Sequence, residues 1–176
     1  MKPHSFHLKQ RPAERYELNV SKVMLVYEDT DAGVRAKLAL EHLPPEVKLT
    51  DACSITFWRQ DLLSLPWLRE QAALGAGDAD LILISIAGND DTPGEIKDWL
   101  SRWLHHRGSN PCVLGILTTE NSSDTENPIM SYVKCVADFA NAIFFCGTER
   151  VTRPGLPLNG QTRNPISLAP ASVKPG

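Results

Sequence analysis

Asp80-Leu81-Ile82-Leu83-Ile84-Ser85-Ile86, running into Ala87-Gly88-Asn89-Asp90-Asp91, is the stretch that decides the fold. Only Ser85 interrupts the apolar run after Asp80. A short, nearly continuous run of Leu and Ile reads as a central strand buried on both faces. Burial on both faces requires helices above and below the sheet. In open α/β sheets, ligands and chemistry gather beyond the carboxyl ends of the strands. The loop from Ser85 to Asp91 is therefore the first candidate site.

Working outward, the flanks alternate strand and helix. Lys22-Val23-Met24-Leu25-Val26-Tyr27 reads as a first strand ending in Glu28-Asp29-Thr30-Asp31. A helix is expected over 32–43, capped by Thr30 or Asp31, with Val34, Leu38 and His42 on one apolar stripe, Ala39 and Leu43 beside it, and Pro44-Pro45 as its stop. Ser54–Trp58 reads as a second strand. A helix follows from a Ser64 cap to about Leu74. After the strand at 80–86, Thr92 and Glu95 fit a capping box with Pro93 at the first helical position. Ile96, Trp99, Leu100, Trp103 and Leu104 then recur at helical spacing, which points the two tryptophans at the sheet. Cys112–Leu117 reads as a fourth strand. Asn127 and Pro128 open a helix whose inward face is Ile129, Tyr132, Val133, Val136, Phe139 and Ala140. Ala142–Cys146 reads as a short fifth strand.

The expected architecture is a three-layer α/β fold, a doubly wound sheet of five mainly parallel strands in the order 2-1-3-4-5 with right-handed crossovers. The 176 residues divide into an irregular extension (1–21), the α/β domain (22–146) and a tail (147–176) broken by Pro154, Pro157, Pro165, Pro170 and Pro175. Gly75 and Gly77 precede a strand. A dinucleotide fingerprint needs its glycines directly after one, so such a site is rejected.

The formal net charge is −3, but residues 1–22 and 147–176 carry +3 each, which leaves −9 on residues 23–146. An acidic body disfavours a nucleic-acid partner, because phosphate contact needs a basic face. No stretch approaches the roughly 20 apolar residues of a membrane span. No basic segment leads into an apolar one as in a secretory signal, so a cytoplasmic protein is expected. Cys53, Cys112, Cys135 and Cys146 form no C-x-x-C pair, which excludes a zinc knuckle or dithiol site and predicts buried free thiols.

With these elements in place, residues 22–146 resemble the receiver domains of bacterial response regulators, and more broadly flavodoxin-like domains. Val23–Asp29 resembles the receiver's first strand running into its acidic pair, with Glu28 and Asp29 near those positions. Residues 80–86 resemble the strand that presents the phosphoacceptor aspartate. Asn110–Thr119 resembles the fourth strand and its terminal hydroxyl, here Thr118 or Thr119. The resemblance implies a signalling domain, but the chain departs from it where chemistry is concerned. Ser85 stands where the aspartate is expected, and an acyl phosphate needs a carboxylate. The fifth strand runs into Phe145-Cys146-Gly147 with no lysine after it. A flavin phosphate loop is equally disfavoured, since Glu28, Asp29 and Asp31 repel phosphate.

Two functions remain. The first is a non-catalytic signalling or protein-interaction domain with a degenerate phosphoacceptor position. The alternative is a Mg²⁺-dependent enzyme or binding protein for a phosphorylated or nucleotide-like small molecule. In that case Glu28, Asp29, Asp90 and Asp91 would offer hard oxygen ligands. Ser85, Asn89, Thr118 and Thr119 would complete the pocket. Because no fifth helix is visible, the sheet face beside the first helix should leave residues such as Ile143 and Phe145 in water. That exposure predicts a homodimer or another protein partner.

Overall fold

A computed structural model describes residues 17–88, 91–119 and 127–149. Its single sheet has five strands: β1 (Leu18–Tyr27), β2 (Val47–Arg59), β3 (Leu81–Ile86), β4 (Val113–Thr119) and β5 (Ile143–Glu149). Their order is β2-β1-β3-β4-β5, and every pairing is parallel. This is the doubly wound, flavodoxin-like arrangement expected from the strand–helix alternation. The helices are α1 (Thr30–Leu40), α2 (Pro66–Ala76), α3 (Gly94–His106) and α4 (Pro128–Phe139), with a 3₁₀ turn at Gln60–Ser64 between β2 and α2.

All six residues of β3 are buried. Ile82, Ile84 and Ile86 meet α2, α3 and α4 on one face. Leu81 and Leu83 belong to the opposite layer, with Ala36, Ala39 and Leu40 of α1. Trp99 and Trp103 are buried on the first of these faces, with Ile82, Ile84 and Ile86, and the Trp103 indole N–H donates to the Ala76 carbonyl at 3.1 Å, joining α3 to α2.

Several local expectations are corrected. On α1 the inward stripe is Ala32, Ala36, Ala39 and Leu40, while Val34, Leu38 and His42 are exposed. Small side chains let the helix sit close over β1 and β3, and its cap is Asp29, whose carboxylate accepts from the Ala32 N–H. β2 is much longer than 54–58 because Val47–Leu49 pairs with Leu18–Val20 before a register shift. The amino-terminal extension therefore enters the sheet at Leu18. Ser64 does not cap α2; Leu65 precedes it without a side-chain cap, and Pro66 opens it. The box at α3 does not form: Pro93 is the cap, Thr92 Oγ1 finds no partner, and Glu95 accepts from Gln60. On α4 the Asn127 cap and Pro128 stand as expected, but Phe139, its last residue, is 82% exposed. Of the cysteines, all free, only Cys112 is buried; Cys53 and Cys146 are half-buried and Cys135 is exposed. Burial pushes the Cys112 thiol up to about 11.

Phe145 is not left in water either. It is 1% exposed, and its ring lies across Gly115 of β4, so close that a Cβ there would meet Phe145 Cζ at 2.3 Å. The glycine supplies the volume that the ring occupies. Ile143, two residues earlier, is partly exposed.

Candidate functional site

The carboxyl ends of β1, β3 and β4 converge on the loop that follows Ile86. The Glu28 N–H donates to the Ser85 carbonyl at 3.1 Å, and the Glu28 carboxylate accepts from the Ala87 N–H at 2.7 Å. Glu28 thus ties the end of β1 to the exit of β3. The Thr119 hydroxyl donates to the Ala87 carbonyl at 2.8 Å, tying β4 to the same residue. Gly88 follows with φ +78°, a conformation that L side chains rarely adopt. A Cβ there would also fall 2.7 Å from the Asn127 amide nitrogen and 2.9 Å from Thr118. Only glycine fits on both counts, so the loop leaves β3 along a fixed path.

Ser85 itself is fully buried. Its Oγ accepts from Arg35 Nε of α1 at 3.3 Å. The rotation of α1 that turns Ala32, Ala36 and Ala39 toward the sheet brings Arg35 over the end of β3. Thr118 is buried as well, with its Oγ1 3.9 Å from the Met130 sulfur.

Among the described residues, the acidic candidates Glu28, Asp29 and Asp91 each accept from a different main-chain N–H. Glu28 spends an oxygen on the Ala87 N–H, and Asp29 is turned to the start of α1. Asp91 accepts from the Thr92 N–H at 2.7 Å and faces Lys97 Nζ at 3.4 Å. Asn89 and Asp90 lie outside the described residues. Among the described residues, no group of three or more His, Cys, Asp or Glu side chains could hold a metal ion.

No family model matches the chain, and no curated protein matches it in sequence.

Two polar constructions lie outside the strand-end loop. An open cleft of about 480 Å³ between α2 and α3 is lined by Arg69, Glu70, Asp98, Arg102, His105 and His106. Its charges satisfy one another. Glu70 accepts from His106 Nε2 and Arg102 Nη1, each at 2.6 Å, and Arg69 reaches Asp98 at 3.1 Å. His106 first, and then Arg102, hold the Glu70 carboxyl below its usual range. This pattern clamps two helices.

At the opposite end of the sheet, Asp80 Oδ2 accepts from the Ser21 N–H and hydroxyl, both at 2.8 Å, and from the Lys22 N–H at 3.0 Å. It holds β1 where the register with β2 shifts. Partial burial pushes this carboxyl up, yet the Ser21 and Lys22 donors leave it below its usual range. Neither Arg35 nor Asp80 stands out in the sequence. For Asp80, the one signal is an acid placed directly before a buried strand; for Arg35, a cation one turn into the helix after β1.

Proposed function

We propose that this chain is a non-catalytic signalling or protein-interaction domain on a receiver-like frame with a degenerate phosphoacceptor position. One observation carries the reading: Ser85, at the place expected for the acceptor carboxylate, is fully buried and accepts from Arg35. A serine hydroxyl cannot form an acyl phosphate, and a buried one is closed to a phosphodonor. The neighbouring acids support the same reading, because Glu28 and Asp29 are committed to main-chain N–H groups. The work left to such a frame is recognition by its surface, with a protein partner or a second copy.

The same reading places the protein in the cytoplasm. Free cysteines among the described residues suit a reducing compartment. No helix among those residues is long and apolar enough to cross a membrane.

Acetyl phosphate with Mg²⁺ tests the proposal. Intact mass under mild conditions should show no labile phosphate on the full chain. A stoichiometric, base-labile adduct on Asp29, Asp90 or Asp91 would overturn it.

A further inference from the structure

We infer that the outer edge of β2 is a self-association surface, and that it takes the same strand of a second copy of this chain in antiparallel pairing centred on Thr56. The inference rests on the interaction-domain reading and names the partner.

Among the described residues β2 pairs with β1 alone, so it is the terminal strand of the sheet on that side. A terminal strand presents unpaired N–H and C=O groups, and proteins usually blunt it with charge, proline or a very short length. Ser54-Ile55-Thr56-Phe57-Trp58 carries neither charge nor proline; the charges of β2, Lys48, Asp51 and Arg59, and its register shift lie outside these five residues. The register shift bounds it on the amino side, and the 3₁₀ turn at Gln60 bounds it on the carboxyl side. Ile55 and Phe57 oppose Val23 and Leu25, so both project from the α1 side of the sheet, yet they stay 39% and 48% exposed.

Ten large apolar side chains are exposed among the described residues, and five of them fall within 55–67: Ile55, Phe57, Leu62, Leu65 and Trp67. A stable interface needs about 800 Å² from each partner. A five-residue strand does not supply that alone. The next exposed apolar residues along the chain, Leu62, Leu65 and Trp67, lie in the 3₁₀ turn and at the start of α2, and the proposed dimer draws the rest of its area from them.

The strand is self-complementary in one register. A two-fold axis through Thr56 sets Thr56 against Thr56 and Ile55 against Phe57 on both sides of the axis. Thr–Thr and aromatic–β-branched pairs are favourable cross-strand neighbours. Moving the axis to Phe57 sets Arg59 against the apolar Ile55. Moving it to Ile55 sets Phe57 against Cys53, beside the register shift. The pattern therefore selects a closed dimer rather than an open chain of copies.

Sedimentation velocity of the full chain over a range of concentrations, with two variants, tests this. The unaltered chain should reach twice the monomer mass, and Phe57→Lys should return it to the monomer. Under mild oxidation Thr56→Cys should give a symmetric link between the two introduced cysteines, mapped by peptide mass. Phe139→Cys, on the exposed end of α4, should give none. A monomer at every concentration, a dimer that survives Phe57→Lys, or an absent Thr56→Cys link would each overturn the inference. Should Phe57→Lys fail to fold, the Thr56→Cys link decides alone. A monomer would leave the acetyl phosphate result standing, whereas a phosphate adduct would remove the interaction-domain reading and leave the dimer.

Discussion

On one face of the sheet, Trp99, Trp103, Ile96 and Leu100 of α3 fill the space between α2 and α4 with large side chains. On the other, α1 offers Ala36, Ala39 and Leu40, and Phe145 turns sideways onto Gly115. The first face is closed by bulk carried on helices. The second is closed by close approach and by the strands' own side chains. A doubly wound sheet can thus satisfy two buried faces with unlike materials. The two should fail differently when damaged: the first by cavities, the second by overpacking.

The largest expected effect is on the helical face. Trp99→Ala should cost about 3–5 kcal/mol, the usual range for a buried tryptophan. Leu40→Ala, at the slightly exposed end of α1, should cost about 2 kcal/mol, near the low end for leucine. Urea unfolding midpoints at constant slope give both values. Equal losses would break the contrast.

Gly115→Ala probes the other face in the reverse sense. The added methyl meets Phe145 Cζ at 2.3 Å and Leu83 Cδ1 at 2.9 Å, so overpacking of about 1–3 kcal/mol is expected. Adding Phe145→Leu should recover part of that loss, because a smaller side chain leaves the methyl its space. If Phe145→Leu only adds to the damage, the ring is not what Gly115 accommodates.

The smallest effect concerns the amino ends of the strands. Asp80→Ala should cost about 1–2 kcal/mol through its three lost hydrogen bonds. The folded state holds this carboxyl below its usual range, so its contribution is full above the unfolded value and fades as pH falls through the folded one. The gap between Asp80→Ala and the unaltered chain should therefore be widest near neutrality and narrow in acid. A gap that widens on acidification would contradict the sign of the shift.

Strands 80–86 and 112–117 are legible because both faces are buried, and a continuous apolar run has few other readings. The first helix is harder. Val34 and Leu38 make a convincing stripe, but alanine carries little hydrophobic signal, and the side facing β1 and β3 is chosen by how close the helix must come. β2 is legible only in its apolar half. Its first half is polar and becomes strand because Leu18–Val20 lies beside it, a long-range pairing that local pattern does not encode. The same limit governs the strand-end loop. Ser85 can be placed by position along the chain, but the Arg35 contact depends on how α1 is turned. The roles of Glu28 and Asp29 depend on which N–H groups the fold leaves unpaired nearby.

The all-parallel ladder has a mechanical consequence. β1 begins at Leu18, at its amino end, and β5 runs to Glu149 at its carboxyl end. A pull on these two points in opposite directions loads the ladder between β4 and β5 along the strands. Its seven register pairs, Val113–Ile143 through Thr119–Glu149, then bear the tension together. An antiparallel hairpin pulled at its open end gives way one pair after another. Here the pairs must yield at once, so the domain would act as a stiff link in any tether strung through it.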